Sequence, residues 1–284
     1  MFALLVLELR DRSRREKTES PPQEEKLLRP PGHSLALKME ELWDEFTDRL
    51  FEICVGAAVT GMLTSYAFEL LRGSARQTAG IVLLTCSLGI FSILVQRVIA
   101  ARALLQHRRN CRLGLRGEQA VAEALTEVGP NGYRAFHDLP GGENWNIDHV
   151  VVGPQGVFVI ETKARRRRAV AGSQPAHVVG YDGDTLTFPT GKDHDAIPQA
   201  RRNAKWVADY LTKKTGERVD AAPLVVLPGW YVECTASDTK GFAAMNATYL
   251  KKYLASQPER VPPAQLRRII ALLEDKCRDL VFEP

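Results

Sequence analysis

The pattern of apolar and polar positions divides the chain into parts that suit different solvents. Residues 77–96 (QTAGIVLLTCSLGIFSILVQ) run without a charge between Arg76 and Arg97. As a helix this run rises about 30 Å, the thickness of a bilayer's hydrocarbon core. Residues 53–68 form a shorter uncharged run between Glu52 and Glu69, which spans if both carboxylates sit at the interfaces. Only residues 72–76 separate the two, so the pattern predicts a transmembrane helical hairpin with helices over about 51–71 and 77–98. Upstream, Leu42, Trp43, Phe46 and Leu50 recur among acids and predict an interfacial helix. Residues 1–38 read as a polar, disordered tail, charged and proline-containing from Arg10 to Pro31.

Past Leu113 the periodicity changes. Ala120, Val121, Ala124, Leu125 and Val128 recur at helical spacing over 117–128, with Gly129-Pro130 as a stop. Strand-like runs follow at 133–139, 146–152 and 157–163, the last two joined by Gly153-Pro154-Gln155-Gly156 as a type I turn. A helix over about 197–214, opened by Pro198, leads to a short buried strand at 222–227. The expected order is helix, three strands, helix, strand, an α/β class of fold preceded by the hairpin. After Pro262-Pro263, Leu266, Ile269, Ile270, Leu273, Cys277 and Leu280 mark an amphipathic helix without assignable chemistry. The expected divisions are 1–38 (tail), 39–112 (hairpin and basic flank), 113–230 (the domain carrying the chemistry) and 231–284 (C-terminal extension).

Charge adds orientation. Arg97, Arg102, Arg108, Arg109, Arg112 and Arg116 follow the second apolar run with no acid among them, which marks the cytoplasmic side. A hairpin returns the chain to its starting side, so both termini are expected in the cytoplasm of a two-span protein of the cell membrane. The overall balance, 38 Lys+Arg against 34 Asp+Glu, is too mild to require a polyanionic partner. Five cysteines without a CxxC pair exclude a dense disulfide framework and a four-thiolate zinc site.

The candidate chemistry comes from strand register. In a hairpin turning at Pro154-Gln155, Val152 faces Val157, and the same register sets Asp148 opposite Glu161, with Lys163 on that face two residues on. Two close carboxylates repel and are costly to desolvate, and a divalent metal resolves both problems. Asp148 and Glu161 supply hard oxygen ligands, the Ile160 carbonyl is a third candidate, and Lys163 would act on water or phosphate. The open alternative is a strand-end ion pair of Glu161 and Lys163 with Asp148 at an edge. Glu-x-Lys recurs at 24–26 and 274–276, in neither case at the end of an apolar strand. Arg165, Arg166, Arg167 and Arg168 suit a nucleic-acid backbone or, alternatively, a solvated loop. His149 alternates off the carboxylate face and reads as a core histidine, and His194 and Asp195 are candidate caps of the second helix.

Taken together, Gly114-x-x-Gly117-Glu118, Asn146-Ile147-Asp148-His149-Val150-Val151-Val152-Gly153-Pro154, Gly156 to Lys163, and Gln199 with Asn203 resemble the nuclease-related domain, NERD. That family is similar to the PD-(D/E)xK restriction-endonuclease-like superfamily, though Ile147 stands where the PD motif has proline. The resemblance implies a metal-dependent nuclease using Mg2+ or Mn2+, with Asp148 and Glu161 on the metal and Lys163 catalytic. It further implies that Glu118 reaches the site from the first helix and Gln199 from the second. The expected partners are nucleic acid (DNA ahead of RNA), the membrane that the apolar hairpin would enter, and a second copy in a homodimer. The competing expectation is a catalytically silent domain that binds nucleic acid or a protein.

Overall fold

The computed structural model describes residues 26–72, 77–142, 145–168, 177–236 and 241–280. Residues 1–25, most of the expected polar tail, lie outside them. The chain forms two compact units, one of residues 34–115 and one of residues 116–280 with 26–33.

A short strand, β1 (Leu27–Leu28), precedes helix α1 (His33–Leu71), and α2 follows as a single helix over Gln77–Thr126. Residues 27–38 were expected in the tail, but the paired leucines find a strand partner and helix begins at His33. Nor does the helix expected over 117–128 start afresh, because nothing between the apolar run and Thr126 breaks helical geometry. Both helices are long and apolar enough to cross a membrane, and only 6% and 11% of their most apolar windows are buried. Met62, Leu88 and Ile99 are among the large apolar side chains left exposed. Within this unit Arg97 pairs with Glu52 at 3.4 Å and the Arg108 guanidinium lies 4.8 Å from the Trp43 ring.

The other unit is built on a mixed sheet. Strands β2 (Arg134–Gly142), β3 (Trp145–Gly153) and β4 (Gly156–Thr162) form an antiparallel meander. Three short strands follow, β5 (Val178–Tyr181), β6 (Leu186–Phe188) and β7 (Gly191–Asp193), and then helix α3 (Ala196–Thr215). Strand β8 (Ala221–Val226) pairs parallel to β4. Strands β9 (Tyr231–Cys234) and β10 (Ala243–Met245), helices α4 (Leu250–Ala255) and α5 (Pro263–Cys277), and β11 (Arg278–Leu280) complete the described chain. The main sheet has the order β10-β8-β4-β3-β2, a small one the order β7-β6-β5-β9, and β1 pairs with β11.

Alternation assigns the two faces of the meander. Val150, Val152, Val157 and Val159 pack with Val207 and Leu211 of α3 and with Ile269 and Leu273 of α5. Val151, Phe158 and Ile160 pack with Val121 and Leu125 of α2 and with Leu224 and Val226. Helices on both faces explain why β4 is apolar nearly throughout. Among the described residues, the six short strands of the inserted and C-terminal segments were not anticipated, since three- and four-residue runs carry little periodicity.

Candidate active site

The β3–β4 hairpin has the expected register, with Gly153 opposite Gly156, Val152 opposite Val157 and His149 opposite Ile160. Asp148 and Glu161 lie one step beyond the last paired residues. There the Thr162 N–H donates to Asp148 Oδ2 at 2.7 Å, so the Asp148 carboxylate closes the ladder from the side. The Lys163 N–H donates to the Val226 carbonyl at 2.9 Å and continues the pairing to β8 past the end of β4. Both strand ends are therefore held by hydrogen bonds that backbone N–H groups donate.

Helix α3 supplies the other wall. Gln199 and Asn203 stand one turn apart: Lys163 Nζ donates to Gln199 Oε1 at 3.1 Å and Asn203 Nδ2 to Glu161 Oε2 at 3.1 Å. Lys163 Nζ also pairs with Glu161 Oε1 at 2.9 Å. Glu161 is thus held at both oxygens, and the lysine sits between a carboxylate and an amide. The expected N-terminal caps of α3 are replaced by Asp193, whose Oδ1 accepts from the Asp195 and Ala196 N–H groups at 3.0 Å each. Asp195 makes no side-chain cap, its own backbone already being helical.

Glu118 enters from α2. A Cβ at Gly117 would come 2.5 Å from the Ala164 Cβ, so only glycine lets the helix approach the chain this closely just after Lys163. The Glu118 carboxyl is buried, and burial, with Asp138 and Glu161 nearby, raises it to about 7 against the donation of the Gly32 N–H. Burial, then the charges of Glu161 and Glu118, pushes Asp148 well above the usual carboxylate range. Burial also raises Glu161, outweighing the opposing pull of Lys163. For Lys163, burial acts downward, but Glu161, Asp148 and Asp193 overcome it and hold the ammonium above its ordinary value.

These directions have a testable consequence for stability. An acid raised from 4.5 to about 7 on folding stabilises the protein below the unfolded value and loses that contribution as pH rises through the folded one. Glu118→Gln is therefore expected to match the wild type near pH 4. At pH 8 it should be more stable, by up to roughly 3 kcal/mol at about 1.4 kcal/mol per pH unit. Thermal unfolding of the detergent-solubilised chain at both pH values checks this, and equal melting at pH 8 contradicts it.

The sequence reading missed Asp138. It lies in β2 between the pairs His137–His149 and Leu139–Ile147, buried, with a left-handed backbone (φ 51°). An aspartate tolerates that conformation better than most residues, which was the one local signal available. His149 is fully buried, as expected, with its Nδ1 2.8 Å from that of His137. Burial lowers both imidazoles, His137 to about 4. Of the arginine run, Arg165 pairs with Asp193 at 2.6 Å and lies over the Phe188 ring, while Arg166, Arg167 and Arg168 are exposed.

Among the described residues no group of three or more His, Cys, Asp or Glu side chains is arranged to hold a metal ion. A two-carboxylate site is a different case: Asp148 and Glu161 are hard oxygen donors, mutually repelling and desolvated. Mg2+ and Mn2+ suit such a partial shell completed by water and phosphate.

Residues 113–228 match the nuclease-related domain family, NERD. No curated protein and no solved structure matches the chain.

Proposed function

We propose that the nuclease-related domain of residues 113–228 makes this chain a metal-dependent phosphodiesterase that hydrolyses nucleic acid, DNA ahead of RNA, on a core similar to restriction endonucleases. The observation that carries this reading is the convergence of Asp148, Glu161 and Lys163 at one end of the β3–β4 hairpin, with Gln199 and Asn203 bonded to two of them. Asp148 and Glu161 would hold Mg2+ or Mn2+, which supplies an activated water and stabilises charge on phosphate. Lys163, donating to two oxygens, works as an ammonium and not as a base. Its role is to donate to the phosphate oxygen on which charge develops. Gln199 and Asn203 aim it by fixing Lys163 and Glu161. The exposed Arg166, Arg167 and Arg168 follow Lys163 directly and suit the flanking phosphates.

One observation favours the silent alternative: both Glu161 oxygens already have protein partners. The two readings separate on plasmid, linear and single-stranded substrates incubated with the full chain, with and without Mg2+ or Mn2+. Metal-dependent cleavage is expected, and its absence on every substrate leaves the domain a binding module.

The hairpin α1–α2 is proposed to anchor the enzyme in the cell membrane with both ends cytoplasmic. Its support is the length of the apolar helices, their exposed side chains and the arginine flank. Carbonate and high salt are expected to leave the full chain in the membrane pellet. A reporter at Ala75 should report the outside and one at Pro284 the inside. Release into the supernatant contradicts the anchor.

A further inference from the structure

Residues 26–32 precede the first apolar helix and lie outside the stretch matched by the nuclease-related domain. They are nevertheless tied at three points to the unit that carries the site. Strand β1 pairs with β11, and the Arg29 N–H donates to the Cys277 carbonyl at 3.1 Å, which anchors the start of the segment. The Arg29 side chain then reaches Asp138, with Nη1 3.1 Å from Oδ2 and 3.3 Å from the carbonyl oxygen, and it also donates to Asn146 Oδ1 at 3.4 Å. Finally, Pro30-Pro31-Gly32-His33 closes a turn, with the His33 N–H donating to the Pro30 carbonyl at 3.3 Å. Proline second and glycine third, with Gly32 at φ 73°, is the type II pattern. That turn presents the Gly32 N–H to Glu118.

The ion pair is nearly enclosed, with 18% of the Arg29 side chain and 5% of Asp138 exposed. A carboxylate so placed is costly without its partner. Asp138 occupies a left-handed position in β2, opposite the strand that carries Asp148, and its charge bears on Glu118. Asn146, the second acceptor of Arg29, stands two residues before Asp148 on β3.

We infer that residues 26–32 form a strap belonging to the active site, in which Arg29 is a positioning residue that sets Asp138 for the chemistry at Asp148 and Glu161. The inference rests on the nuclease reading. A fragment beginning at residue 113 therefore lacks part of its own site.

The test uses the full chain in detergent, as wild type, Arg29→Gln, Asp138→Asn, the double variant and Arg29→Lys. Measured are kcat and KM on a DNA oligonucleotide with Mg2+, and Mn2+ affinity by calorimetry. Arg29→Gln is expected to lower kcat by about 10- to 100-fold, the range for outer groups that orient metal ligands, with KM within about threefold. The double variant should be no slower than Arg29→Gln, because the arginine acts through Asp138. Arg29→Lys, which keeps the charge and guards against misfolding, should fall between. Unchanged kcat in Arg29→Gln, or losses that multiply in the double variant, overturn the strap. If the wild type cleaves nothing, the nuclease reading fails by itself and the Mn2+ titration decides. About tenfold weaker binding by Arg29→Gln upholds the strap, and equal binding, or none in any variant, overturns it.

Discussion

Asp148→Asn is expected to suppress cleavage by roughly a hundred- to a thousandfold, the scale of losing one group that stabilises developing charge, while leaving the chain folded and more stable at neutral pH. The two effects share one cause. Burial and the neighbouring Glu161 and Glu118 make the charged form of Asp148 costly, and its donor, the Thr162 N–H, still finds an oxygen on the amide. Sign follows direction. A carboxyl held above its unfolded value costs the folded state stability once the pH exceeds that unfolded value. The gain from Asn should therefore be present at neutral pH and vanish in acid, where Asp148 is protonated in both states. Metal affinity should fall together with turnover. If the cluster is only a strand-end ion pair, stability still shifts but the calorimetric titration with Mg2+ or Mn2+ does not. Equal metal binding by wild type and variant would remove Asp148 from the metal.

The register behind that variant could be read from sequence because a two-residue turn fixes which residues of a hairpin face each other. Gly153-Pro154-Gln155-Gly156 fixed where the chain reverses, and the pairing His149–Ile160 follows. The contacts of Gln199 and Asn203 were approached through a resemblance; their spacing alone said only that they share a helix face. Asp138 and Arg29 were beyond reach. They lie 109 residues apart in sequence and meet through a left-handed strand residue, and neither feature has a periodic signature. The capping by Asp193 was missed for a related reason. Asp193 and Asp195 are equivalent by type, and the choice between them depends on the short strand β7, which positions Asp193 and was itself unpredicted.

Lys163→Met is expected to lose turnover by roughly a hundredfold or more while keeping metal affinity, and to destabilise the fold, which makes it the mirror image of Asp148→Asn. Lys163 Nζ is the partner of one Glu161 oxygen and the donor to Gln199. Removing it leaves a buried carboxylate with one partner lost, a defect of about 3 kcal/mol when nothing replaces the cation. A bound divalent ion can replace it, so added Mg2+ or Mn2+ should restore much of the stability of Lys163→Met and little of its cleavage. The double variant Glu161→Gln/Lys163→Met removes the buried charge with its partner and should recover stability without metal or cleavage. Melting temperatures with and without metal, beside a cleavage assay, separate the two roles of this lysine. Full cleavage by Lys163→Met at restored stability would reduce Lys163 to a counter-ion of Glu161, with the chemistry left to the carboxylates and their metal.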